Sequence, residues 1–398
     1  MMTGQSSRRV VQNRGIMVLA AIAAVYAGAH FTGGPSARAR EAGALPPTIV
    51  PAFVYQGNPT CAGSNCHSAG EATEQSGQMI GDEYDLWTEQ DPHQHAFKSL
   101  KNDLSKSIAA KMSLGDPAKA GRCLDCHAVD APTPQRGEQF ALAGGVGCEA
   151  CHGPAEKYLE PHAEAGWTIA QRGELGSAGL LSKFGLIDTT DLSVRTRGCV
   201  ACHLEIGRDM IDAGHPPLEF EMYAYNYYIS KKPDAEFAPH WDEPVGRGND
   251  ARLWATGQAA ALTAATRQLK AWKAHGWKTD EAESLEALYA AGVEVAKTHF
   301  GGGDDAAFAK ATYDASKCAA AATDLAGRAD VAGNAIERRV LAFGVTALGS
   351  AAFDAQEQDP VDAFWDAYDA ALEAAEQGGD AYVAALAQLA RIANEATK

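Results

Sequence analysis

Apolar positions are most regular near the C-terminus. Val361, Phe364, Trp365, Tyr368 and Leu372 recur at helical spacing and form one face. Tyr382, Leu386, Leu389 and Ile392 repeat the pattern in a last helix. Upstream, start and stop signals divide an Ala-rich stretch. Gly276 can end a helix that begins near Asp250. Asp280 and Glu283 have the spacing of a capping box. Gly301-Gly302-Gly303 breaks the chain before Asp304, and Asp359-Pro360 reads as an N-cap followed by Pro at the first helical position. A bundle of five or six helices is expected over residues 245–398. His275 and His299 read as ordinary residues of that bundle, and Cys318 as a buried small hydrophobe.

Residues 40–244 lack such long periodic runs. Gly and Pro are frequent, as in Gly144-Gly145 and Ala131-Pro132-Thr133-Pro134, so short helices and loops are expected. Phe220, Met222, Tyr223, Tyr225, Tyr227 and Tyr228 form an aromatic-dense stretch suited to packing on a flat group. At the N-terminus, Arg8, Arg9 and Arg14 precede an apolar run over residues 16–29. That run has the length of a signal-peptide core and is short for a membrane span. Ala27-Gly28-Ala29 and Ala37-Arg38-Ala39 both fit signal cleavage. Residues 1–39 therefore read as a signal peptide, with an uncleaved N-terminal anchor as the alternative. Either places the rest in the periplasm or outside the cell.

Hydrophobic residues make up 46% of the 398, which suits a folded chain. The formal charge is −17. Residues 1–39 hold four Arg and no acid, so their removal would leave −21. Such a surface repels nucleic acid and suits a basic protein partner.

The cysteines change the picture most. Eight of nine fall into four pairs. Cys123–Cys126, Cys148–Cys151 and Cys199–Cys202 are C-x-x-C-H, closed by His127, His152 and His203. Cys61 and Cys66 form a wider C-x4-C-H, closed by His67. Two thiols at this spacing can form thioethers with the two vinyl groups of a porphyrin, and the next His then reaches the iron. Disulfides or a zinc ribbon would use the paired cysteines but leave the repeated His unexplained. With 12 His in 398 residues, four coincidences are not expected. The cofactor expectation is four covalently bound haem c groups. Sixth-ligand candidates are His93, His95, His162, His215 and His240. Met112, Met210 and Met222 rank below them because core packing explains a Met. His93 follows Asp91-Pro92 at a helix start; His95, two positions on, points elsewhere on a helix. Every motif ends in His, with no C-x-x-C-K.

The stretch from Gly145 through Cys148-Glu149-Ala150-Cys151-His152-Gly153-Pro154 to His162 resembles the tetrahaem cytochrome c-554 family, as does Trp87 through Asp91-Pro92-His93 to Ser99-Leu100-Lys101. Motif order and rough spacing also match, over about residues 50–230. The resemblance implies that His93 serves the fourth haem and His162 the first, with His215 a candidate for the third. It also implies an iron on His127 that lacks a protein sixth ligand, unless His95 or His240 closes it. The C-x4-C-H motif departs from the family pattern.

The chain is thus expected to be mainly α: a haem-cored cytochrome domain of short helices and loops over residues 40–244, then the Ala-rich helical bundle. The motifs of the second and third haems, 25 residues apart, are expected to be neighbours. The expected role is electron transfer between redox proteins, membrane-associated ones among them, with self-association through the bundle also open. Redox chemistry on nitric oxide, hydroxylamine or a similar molecule at an open haem is the competing reading.

Overall fold

The computed structural model describes residues 53–397 apart from 70–72, 76–77, 229–247 and 357. The expected signal segment, the join before Gly248 and His240 lie outside the described residues. The protein is mainly α. A short antiparallel hairpin comes first, β1 Thr73–Gln75 with β2 Gln78–Ile80. Among the described residues nine α-helices follow in the first region, with short 3-10 turns between them: α1 Glu83–Gln90, α2 Ala96–Ser99, α3 Asp103–Lys111, α4 Gly121–His127, α5 Cys148–His152, α6 Trp167–Phe184, α7 Leu192–His203, α8 Arg208–Ala213 and α9 Met222–Tyr228. Most are short. Side chains set their starts: Asn102 Oδ1 accepts from the Ser105 N–H at 2.8 Å, and Asp191 Oδ1 from the Ser193 N–H at 3.0 Å. Within α6, Gly176 sits at φ 64°, where the helix breaks.

Each C-x-x-C-H motif ends a helix: α4, α5 and α7 all finish on the motif His. Positions i and i+3 share a helix face, so both thiols of each motif lie on one side.

Among the described residues seven α-helices form the C-terminal region: α10 Asn249–Ala274, α11 Asp280–Phe300, α12 Asp305–Lys310, α13 Ala315–Ala326, α14 Ala335–Asp354, α15 Asp362–Gln377 and α16 Gly379–Glu395. The expectation of five or six missed the short α12, whose six residues carry too little pattern to stand out. Two starts differ from expectation. The N-cap of α11 is Thr279, not Asp280; its carbonyl accepts from the Glu283 N–H at 2.7 Å and its hydroxyl donates to Glu283 Oε1 at 3.1 Å. Helix α15 begins two residues past Pro360, because extended Val361 supplies the carbonyl that takes the Phe364 N–H at 2.9 Å. Val361 is consequently 51% exposed, and the buried face is Phe364, Ala367, Tyr368 and Ala371. Tyr382, Leu386, Leu389 and Ile392 are buried as their spacing implies, and so is Cys318. His275 stacks on Trp277, and His299 pairs with Asp324 at 3.2 Å.

The bundle's core does not stop at residue 244. It includes Leu192, Val200 and Leu204 around α7, and Phe220, Met222 and Tyr223 at α9. Gly257 on α10 permits the approach: a Cβ there would lie 2.7 Å from Met222 Cβ. The buried Tyr289 hydroxyl donates to the Phe220 carbonyl at 2.7 Å. The two regions therefore share one apolar core, which lies mostly among α10–α16 and extends to α9 and to α7, the helix that carries the fourth motif. Among the described residues no helix is long and apolar enough to cross a membrane.

Candidate functional site

The four motifs converge. The Cys148 thiol donates to Cys61, which lowers the Cys61 pKa and raises that of Cys148. Cys151 lies within electrostatic reach of Cys199, and Cys202 Sγ is 3.9 Å from the Asp125 carbonyl. Val129 and Ala131, just past His127, pack with Ala150 of the third motif, so the second and third motifs are neighbours. In the wider first motif, Gly63, Ser64, Asn65 and Cys66 are exposed while the His67 N–H still reaches the Cys61 carbonyl at 3.3 Å. The extra residues loop outward, which keeps Cys66 and His67 adjacent to the rest of the motif.

One buried side chain ties the first and third motifs together. Glu149 accepts the N–H groups of Gln56 at 2.8 Å, Gly57 at 2.7 Å and Ala155 at 2.8 Å. Burial raises its pKa despite these three donors. Asn58 adds a second tie, donating to the Gly144 carbonyl at 3.1 Å and accepting from the Cys148 N–H at 3.2 Å.

Three motif imidazoles face three of the candidate histidines. Ring centroids are 6.1 Å apart for His67 and His162, 5.8 Å for His203 and His93, and 6.4 Å for His127 and His215. Two imidazoles across one metal, with bonds of about 2 Å and roughly 1.1 Å from each nitrogen to its ring centre, would have centroids about 6.3 Å apart. All three pairs lie within about 0.5 Å of that separation. The interplanar angles are 11°, 82° and 74° respectively.

The Nδ1 atoms are held by the surrounding chain. His67 Nδ1 lies 2.9 Å from Glu83 Oε2, and His93 Nδ1 2.9 Å from Asp91 Oδ1. His162 Nδ1 donates to the Tyr158 carbonyl and His215 Nδ1 to the Pro216 carbonyl, both at 2.8 Å. His127 Nδ1 is 3.0 Å from both the Ala96 carbonyl and Ser99 Oγ. His152 Nδ1 lies 3.5 Å from Thr189 Oγ1. Burial, with the His93 and His127 rings beside it, lowers His203 to about 4. Burial also lowers His127. Both are thereby kept neutral, the form that binds a metal. The hydrogen bond to Glu83 instead raises His67. The Tyr225 ring lies 4.6 Å from that of His203 and 5.5 Å from Phe220, so Tyr225 of the aromatic stretch packs beside the fourth motif.

These positions revise one expectation. The resemblance pointed His215 at the third motif and left His127 unopposed; the His215 ring instead faces His127. Helix α8 ends at Gly214, φ 110°, and Lys111 at the end of α3 donates to the Ala213 carbonyl at 2.8 Å. That tie brings the turn carrying His215 toward α2, which holds the His127 ring. His95 is exposed, on the opposite side of its turn from His93. Met210 and Met222 are buried core residues. Glu83, Glu149 and Asn58 were not singled out by sequence reasoning. Only Glu149, inside a motif, carried a local signal. Among the described residues no cluster of three His, Cys, Asp or Glu could hold a bare metal ion.

Residues 60–153 match the family model described as cytochrome c554 and c-prime. Over 126 residues the chain is 31% identical to cytochrome c-554 of Nitrosomonas europaea, a match covering 28% of this chain and 48% of that protein. The chain thus spans about half the length of the curated relative it matches. No solved structure matches it significantly.

Proposed function

The chain carries a segment of the cytochrome c554 and c-prime family, and from that premise we propose that it is an exported tetrahaem c-type cytochrome passing electrons between redox proteins. The eight motif cysteines would hold the porphyrins as thioethers. His67 with His162, His127 with His215, and His203 with His93 would bind three irons from both faces, and His152 would bind the fourth. When bound, each haem supplies a one-electron couple. The chain's part is positional. Carbonyls, carboxylates and hydroxyls fix the Nδ1 atoms of His67, His93, His127, His152, His162 and His215, leaving their Nε2 atoms to meet iron. Two fixed imidazoles change little between ferric and ferrous states, which suits rapid electron exchange.

The observation that carries this reading is the common spacing of three histidine pairs from distant parts of the chain. His215 opposite His127 also favours electron transfer over small-molecule chemistry at the iron on His127. An extracytoplasmic location is what covalent haem attachment requires, and the basic residues before the apolar run over residues 16–29 agree with export. The partner would be another redox protein, of basic surface given the net charge.

The test is optical and paramagnetic-resonance spectroscopy of the full-length protein beside His215→Ala. We expect four haems by mass. The variant should convert one low-spin signal to a high-spin iron that binds carbon monoxide when reduced. A purified chain without haem, or a wild-type spectrum that His215→Ala leaves unchanged, would refute the assignment.

A further inference from the structure

The paired imidazoles differ in what holds their Nδ1 atoms. Two meet a carboxylate. Glu83 Oε2 sits 2.9 Å from His67 Nδ1 and also accepts the Gly81 N–H at 2.9 Å. Asp91 Oδ1 sits 2.9 Å from His93 Nδ1 and accepts the His93 backbone N–H at 2.9 Å. Each carboxylate is thus fixed by a second donor. The Glu83 side chain is 18% exposed and that of Asp91 7%, so solvent screens neither strongly. The pair formed by His127 and His215 is held differently, by carbonyls and the Ser99 hydroxyl.

A ring N–H donated to an anion leaves more electron density on Nε2 than one donated to a carbonyl. The more basic ligand stabilises ferric over ferrous iron. Resting on the tetrahaem reading above, we propose that Glu83 and Asp91 are positioning residues that lower the reduction potentials of the irons held by His67 with His162 and by His93 with His203. The step they bias is the addition of one electron, from a donor redox protein, to ferric iron to give ferrous iron. The proton stays on Nδ1 and the carboxylate stays ionised throughout.

Isosteric variants separate charge from shape, because an amide oxygen can still accept from the ring and from the backbone. Glu83→Gln and Asp91→Asn are compared with Asp85→Asn. Asp85 lies on the same helix as Glu83 and accepts from Ser68 Oγ at 2.6 Å, and its loss removes one charge without altering an imidazole partner. Haem-loaded, full-length proteins are titrated with dithionite under optical and paramagnetic-resonance readout. At the poise where the wild-type haem is half reduced, Glu83→Gln should raise that haem's ferrous-to-ferric ratio about tenfold, or about 59 mV for a one-electron couple. Asp91→Asn should do the same to a different haem. In both, the g-values of the affected low-spin signal should move toward those of a neutral bis-imidazole iron, and Asp85→Asn should leave g-values unchanged. The wild type supplies an independent readout: two low-spin signals of imidazolate character and one without. Shifts no larger than that of Asp85→Asn, or wild-type signals all of neutral-imidazole character, overturn the proposal while leaving the tetrahaem reading intact. A chain without haem overturns both.

Discussion

Glu221 should make the protein less stable as pH rises. It precedes α9 in the shared core, 1% exposed; Oε2 accepts the Ala224 N–H at 2.6 Å, and Oε1 is buried with no hydrogen-bond partner. Burial raises its pKa from 4.5 to about 7, with Asp250 adding a smaller push upward and the Ala224 and Tyr223 N–H groups opposing it. The folded form therefore holds its proton more tightly than the unfolded chain. Its contribution is fully present below the unfolded value and is lost as pH climbs through about 7. Two and a half pK units correspond to about 3.4 kcal/mol, of which about 2.5 kcal/mol falls between about pH 5 and about pH 8. Glu221→Gln mimics the neutral acid and should remove that slope. Urea unfolding followed by far-ultraviolet circular dichroism measures it. Going from pH 5 to pH 8, the wild-type midpoint should drop by about 1 M more than that of the variant. Parallel pH dependences in the two proteins would show that Glu221 does not ionise in the fold, and the reasoning would fail.

Two further outcomes follow from packing. Glu149→Ala strips three backbone N–H groups, two buried and one half-buried, of their acceptor, at about 1–3 kcal/mol for each buried group left unpaired. It should lower the thermal midpoint and the yield of haem-loaded protein, and a variant as stable as wild type would refute the bridging role. Gly349→Ala would place a Cβ 2.5 Å from Phe364 Cε2 and 3.2 Å from Ala393 Cβ. It should cost about 1–3 kcal/mol in a denaturant melt without altering haem spectra, and a neutral result would mean that α14 and α15 separate easily.

Local pattern was legible in the sequence. The thiol and imidazole spacing of each motif is a property of consecutive residues. So are the apolar stripe of α16, the breaks at Gly276 and Gly301, and the different facing of His93 and His95. What consecutive residues cannot encode is which distant imidazole meets which. His215 was directed to the third motif by resemblance, yet the tie between Lys111 and Ala213 turns it toward His127. Neither Glu83 nor Glu149 was singled out in the sequence; folding placed one against His67 and buried the other under three N–H donors. The bundle was expected on or beside the haem-motif region, but an apolar stripe does not say what covers it; Gly257 on α10 closes on Met222 and so extends the bundle's core to α9. Local spacing determined what each motif can bind. Pairing, charge placement and shared burial were decided only by contacts between residues far apart in the chain.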